Sequence, residues 1–163
     1  MPMAKNLNEL FYATLQDIYH GEKQILKALP KMAKNATTPE LKKAFQLHLD
    51  QTQGQVERLQ QVFEMLDKSA RGKTCEAIEG LVEEGQEVMS ETEPGEVMDA
   101  GLIAAAQAVE HYEIARYGTL CAWAEQLGMP EAAKLLQQTL KEEKETDALL
   151  NKMAMGGINR SAA

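Results

Sequence analysis

Glu22, Glu110 and Glu113 stand in mid-helix where apolar helical stripes ought to continue. The stripe Phe11, Thr14, Ile18, Glu22, Ile25, Leu29, Met32 is broken once, at Glu22. The stripe Ile103, Ala106, Glu110, Glu113, Tyr117, Leu120, Ala124, Leu127 is broken twice. An unpaired carboxylate in a core costs several kcal/mol, so each must be neutralised by a proton, a cation or a metal ion. Two further polar breaks accompany them. His48, Gln51/Thr52 and Gln55 lie between the apolar pairs Ala44/Phe45 and Leu59/Val62, and Glu142, Glu143 and Thr146 form the last group.

The elements that must position these residues are marked out by proline and glycine. Pro39, Pro94-Gly95, Gly128-Met129-Pro130 and Gly156-Gly157 divide a chain otherwise rich in Ala, Leu, Glu, Lys and Gln. Long helices are expected over residues 5–34, 39–66, 96–126 and 130–155, with Pro39 and Pro130 at first helical positions, where the missing N–H costs nothing. Pro30 falls inside the first helix, and a kink or loosened turn is expected there. Short links make antiparallel hairpins of 5–66 and 96–155. The segment 67–95 must cross the bundle, and its apolar spacing (Cys75, Ile78, Leu81, Val82, Val88, Met89) reads as a short fifth helix. Residues 156–163 are left as a tail.

At 163 residues, 44% apolar and 26% charged, the chain reads as a single globular domain spanning residues 1–163. The longest wholly apolar run, residues 102–106, is far below the roughly 20 residues of a membrane span. No basic segment leads into an apolar one at the start, so a cytoplasmic location and no membrane association are expected. With 17 Lys+Arg against 25 Asp+Glu and a net charge of −8, the basic footprint of a nucleic-acid binder is missing. Cys75 and Cys121 are too far apart for a CxxC pair and read as buried thiols. Nine methionines at irregular spacing read as core filling.

Compared with itself at an offset of 91 residues, the chain aligns its two hairpins. Twelve of the 47 positions from Ala13 to Leu59 match, among them His20/His111, Glu22/Glu113, Pro39/Pro130 and Leu59/Leu150, against the roughly 6–7% expected from composition. Duplicated hairpins joined by a long crossover make an all-α, ferritin-like antiparallel four-helix bundle. Counting from the turn near Ala36, Glu22 lies 14 residues back and Gln51 lies 15 forward. Glu113 and Glu142 straddle Gly128 in the same way. Polar groups from all four helices should therefore meet in one mid-bundle layer.

The runs Glu22-Lys23-Gln24, Ala28-Leu29-Pro30-Lys31, Gln53-Gly54-Gln55-Val56-Glu57-Arg58, Glu110-His111-Tyr112-Glu113-Ile114-Ala115, Tyr117-Gly118-Thr119-Leu120 and Glu142-Glu143-Lys144 resemble the YciE/YciF family of ferritin-like, stress-associated bacterial proteins. The likeness runs to about Met153. It implies a four-helix bundle with a short additional helix, a homodimer, and kinship to rubrerythrin and bacterioferritin. The wider pattern places a Glu on two helices and Glu-x-x-His on the other two. Glu22 and Glu113 match the single glutamates, and Glu110-x-x-Glu113 resembles a doubled one. Gln51 stands where relatives carry Glu, and His48 precedes it by one turn instead of following it.

The candidate metal ligands are thus Glu22, Glu110, Glu113 and Glu142, with His48, Gln51 and Glu143 beside them. Glu142 and Glu143 straddle the seam of the fourth helix equally. His48 is either a ligand or a hydrogen-bonded core histidine. A divalent metal is expected, iron first, although an oxygen-rich shell also accepts Mn²⁺, Mg²⁺ or Ca²⁺. Paired ferrous ions could consume O₂ or peroxide in a stress role. The reading from another class is a non-catalytic structural or interaction bundle whose polar layer is vestigial, its acids protonated or paired with Arg58, Arg116 or Lys23. Tyr117, four residues after Glu113, reads as a core filler or a hydrogen-bonding phenol. His20 and His111 should face away from the layer, and Asp17 should pair with Arg58.

Overall fold

A computed structural model describes residues 4–163. Its long helices are α1 (Leu7–Asn35), α2 (Pro39–Met65), α4 (Glu96–Gln126) and α5 (Pro130–Met153), with α3 (Glu76–Glu91) in the crossover. The ends of the expected helices hold to within two residues. The fold is all-α, a ferritin-like antiparallel four-helix bundle. Among the described residues no helix is long and apolar enough to cross a membrane.

Local chemistry sets the ends. The Asn6 side-chain oxygen accepts the N–H of Glu9 at 2.9 Å, and the Glu9 carboxylate accepts the N–H of Lys5 at 2.7 Å, so α1 begins on reciprocal caps. Pro39 and Pro130 open α2 and α5. Pro30 lies on the exposed side of α1, and the helix runs through it to Asn35 without a break. The tail departs from expectation. After Met153 the chain makes one π turn, Ala154–Ile158, with non-helical backbone at Gly157, and then the short helix Asn159–Ala162. Ala154 is buried and Ile158 packs against the core, which gives this segment apolar area to gain by staying folded.

Asp99 clamps the first hairpin to the second. Fully buried in the first turn of α4, it accepts the N–H groups of Thr37 (2.6 Å) and Thr38 (2.8 Å) together with the Thr38 hydroxyl. α3 lies against α4 and α1, and two glycines let it approach. A Cβ on Gly101 would meet Val88 Cγ1 at 2.7 Å, and one on Gly21 would meet Ile78 Cγ1 at 3.0 Å.

The core is divided in two. One apolar cluster is built on Phe11, Leu15, Leu59, Phe63, Leu120 and Leu136, the other on Ile25, Leu29, Phe45, Leu102, Ile103 and Leu150. Along each long helix the chain leaves one cluster and enters the other, and the polar breaks fall between them. Cys75 and Cys121 are buried free thiols.

Candidate metal centre

Each long helix carries its polar residues in phase with its own apolar stripe. On α2 the buried positions Leu41, Phe45, His48, Thr52, Gln55, Leu59 and Val62 advance by three and four. On α5 they are Ala132, Leu136, Thr139, Glu143, Thr146 and Leu150. α1 contributes Glu22, and α4 contributes Glu110 and Glu113 with Tyr117 one turn on. Glu22, Glu110, Glu113 and Glu143 have no solvent exposure at all, and His48 has 3%.

Ligand atoms of His48, Glu110, Glu113 and Glu143 all lie within 4.8 Å of one another. Both oxygens of each of these three glutamates lack a hydrogen-bond partner, as do both ring nitrogens of His48. His48 Nε2 stands 3.1 Å from Glu110 Oε1 and 3.8 Å from Glu143 Oε2, without hydrogen-bond geometry. Glu22 is the neighbour of this group. Its Oε1 accepts the Tyr117 hydroxyl and its Oε2 is unpartnered.

Burial dominates the electrostatics. It pushes the Glu22 carboxyl up to about 8, with the Glu143 charge acting in the same direction. Glu110 and Glu113 are raised well above the usual range by burial and then by neighbouring acids. Burial lowers the pKa of His48 and leaves its imidazole neutral, the form that offers a lone pair to a metal. Arg58 lowers the Glu22 pKa by its charge, but the salt bridges and ring contacts of the basic residues beside the layer go elsewhere. Arg58 pairs with Glu142, Arg116 donates to the Tyr112 hydroxyl at 3.2 Å, and Lys23 sits 4.4 Å above the Tyr19 ring. Four acids and a neutral imidazole with idle lone pairs are a donor set that suits a divalent cation, which would neutralise charge that the protein itself leaves uncompensated.

The structure separates the seven candidates. Glu22, His48, Glu110, Glu113 and Glu143 come together. Glu142 does not join them: it is half-buried, paired with Arg58, and accepts a hydrogen bond from Gln55 Nε2 at 3.1 Å. Gln51 is also half-buried, and its side-chain oxygen accepts the Thr146 hydroxyl at 3.3 Å. A helix turns about 100° per residue, so positions 142 and 143 cannot share a face, and the apolar phase of α5 passes through 143. Extending that phase inward from Leu136 and Leu150 identifies Glu143, and extending that of α2 identifies Thr52 and Gln55. Asp17 accepts the Tyr112 hydroxyl at 3.0 Å and does not pair with Arg58. His20 and His111 face outward, onto Glu79 and Asp147.

An antiparallel four-helix bundle with carboxylates and an imidazole from all four helices meeting in a buried mid-layer has the architecture of ferritin-like proteins. The chain belongs to the family described as "Domain of unknown function (DUF892)", which matches residues 6–163. It is 49% identical to Protein YciF of Escherichia coli over 159 residues, covering 97% of this chain and 96% of that one. The crystal structure of that E. coli stress protein matches with a TM-score of 0.91, covering 96% of this chain and 99% of the other. YcfI of Rhodopseudomonas palustris, provisionally described as a structural protein, is 48% identical with a TM-score of 0.88, over 90% of this chain and 94% of its own. A Xanthomonas campestris protein matches at 26% identity and a TM-score of 0.74, over 97% of this chain and all of its own (100%). The YciE/YciF resemblance read from the sequence holds.

Proposed function

We propose that this chain is a metal-binding member of its family. In this reading His48, Glu110, Glu113 and Glu143 hold one divalent ion, iron first, and Glu22 stands at the edge of the site. The observation that carries it is the set of buried donor atoms, within 4.8 Å of one another, that have no hydrogen-bond partner. Glu110, Glu113 and Glu143 are the carboxylates offered to a +2 ion, and Glu22 stands beside them with its Oε1 accepting the Tyr117 hydroxyl. Held there as Fe(II), such an ion would supply one electron to an oxidant, which accords with the stress description of the E. coli relative. The two apolar clusters on either side exclude water and fix the height of each donor. A homodimer is the assembly this reading adopts from the family resemblance.

A single ion is favoured over the pair expected from the wider pattern. At the repeat offset of 91, Glu22 and Glu113 are copies, whereas Glu110, Glu143 and His48 correspond to Tyr19, Thr52 and Thr139. The second half of a symmetric site therefore keeps one carboxylate, Glu22, and lacks the other two and the imidazole. The same loss favours the competing reading, a structural bundle whose polar layer only fixes register.

Metal analysis of protein purified without added metal, followed by anaerobic Fe(II) titration, decides between them. About one ion per chain, lost in Glu113→Ala, supports the metal reading. A chain that takes up no iron, manganese or other divalent ion leaves the structural one.

A further inference from the structure

Beneath the crossover helix, a cavity of about 30 Å³ lies between α1, α3 and α4. Ile25, Leu29, Val82, Met89, Ala106 and Val109 make its walls. Exposed Lys31 and Gln86 lie at its outer side, and buried His48 and Glu110 at its inner end. The lining of this small apolar cavity thus includes exposed residues and two of the four donor residues.

The space follows from small residues at facing positions. Gly85 of α3 and Ala105 of α4 both line it, and a Cβ on Gly85 would make only ordinary contact, at 3.7 Å, with the Cβ of Ala105. Close backbone approach does not require a glycine there, so its effect is to leave room. The volume exceeds the roughly 10–15 Å³ that one water needs, but a buried water also needs two to four polar partners, and between Lys31 and Gln86 on the outer side and His48 and Glu110 at the inner end the walls are apolar. Cavities lined in this way stay dry and take up apolar guests such as xenon.

We propose that this cavity is a binding site and entry path for dioxygen, the small apolar oxidant, and that it disfavours hydrogen peroxide, whose hydroxyl groups would lose their water and find no partners along the walls. The proposal rests on the metal reading for its purpose, since His48 and Glu110 belong both to the cavity and to the donor group. It gives α3 a function beyond connecting two hairpins, because this helix supplies Val82, Gly85 and Met89 as the outer wall.

The test begins on metal-free protein. Under xenon pressure the methyl resonances of Ile25, Leu29, Val82 and Val109 should shift and saturate together. Ala28→Leu, which fills the cavity from α1, should abolish the shifts. Ala105→Val, from the α4 side, provides a second variant if the first loses its helical circular dichroism. The same variants loaded anaerobically with Fe(II) should be oxidised several-fold more slowly by O₂ and at an unchanged rate by H₂O₂. Absence of xenon shifts in the wild-type chain overturns the proposal, and so does an O₂ rate indifferent to filling or slowed equally with peroxide. A chain that takes xenon but holds no iron overturns the metal reading and the cavity's role as an oxidant path with it. A chain that holds iron but takes no xenon overturns the cavity proposal alone.

Discussion

Glu113 shows how one residue can work against the fold that contains it. It is fully buried, both its oxygens are unpartnered, and its acidic neighbours Glu143, Glu22 and Glu110 all resist its ionisation. Glu113→Gln keeps the shape and removes the charge. The metal-free variant is expected to be more stable than wild type by about 1–2 kcal/mol at pH 8, with a smaller difference at pH 5, where the glutamate is already protonated. At roughly 2–4 °C per kcal/mol for a chain of this size, thermal melts would resolve the difference. The stabilisation by added divalent metal should vanish in the same variant. A variant that melts lower than wild type at pH 8 without metal would show that Glu113 is paired in a way the buried layer does not reveal. Tyr117 acts in the opposite sense, because its hydroxyl supports the ionised form of Glu22. Tyr117→Phe should therefore cost about 1–2 kcal/mol, and more at pH 8 than at pH 5, as read from the same melts.

Helices decide which of these residues meet, because a helix presents a face, and a face is a matter of phase. Glu142 and Glu143 are adjacent in sequence, yet one pairs with Arg58 toward the outside and the other is fully buried among acids. Glu143→Gln should abolish metal binding in the Fe(II) titration. Glu142→Gln should leave it intact and cost no more than about 1 kcal/mol, since the Arg58 pair is partly solvated. Uptake that fails in both variants would place the site elsewhere on α5. The helices themselves were legible, because Pro39, Pro130 and the glycine-marked turns bound them. The choice between 142 and 143 was legible only by carrying the apolar phase across the polar break, since the pairing of Gln51 with Glu142 under the repeat is equally true of Thr52 with Glu143. Asp99 was not legible at all: its partners lie 61 and 62 residues away, in a turn whose position against α4 is fixed by tertiary packing. Removing that clamp by Asp99→Ala should orphan the Thr37 and Thr38 N–H groups and cost about 2–3 kcal/mol in chemical denaturation. A cost below half a kcal/mol would mean that the turn is held by other contacts.

At the scale of the whole molecule, a duplicated scaffold has kept its symmetry in the backbone and lost it in the layer between its two apolar clusters. The backbone symmetry was readable because proline, leucine and lysine positions repeat at 91. The lost symmetry shows only when the buried positions are paired, Tyr19 with Glu110 and Thr52 with Glu143. The resulting surplus of acid couples folding to protons and, on the proposed function, to metal. Glu22 titrates near 8 in the folded chain against 4.5 as its ordinary value, so between these limits the folded state holds a proton that the unfolded state releases. Stability from this group is full below about 4.5 and is lost as pH rises through 8, and Glu110 and Glu113 act in the same direction. His48 acts in reverse. Its lowered pKa gives stability present above its ordinary 6.5 and lost as pH falls, so the acids are seen alone above 6.5. A divalent ion must displace protons from the carboxylates it binds. Between pH 6.5 and 8 the melting temperature of the metal-free chain should fall, and the increment given by saturating Mn²⁺ or anaerobic Fe²⁺ should grow. Calorimetric binding heats should vary with the ionisation enthalpy of the buffer, as proton release requires. Melting temperatures that fall equally with metal and with chelator would show that protons alone neutralise the layer, and the bundle would then be a scaffold whose acids fix register and nothing more.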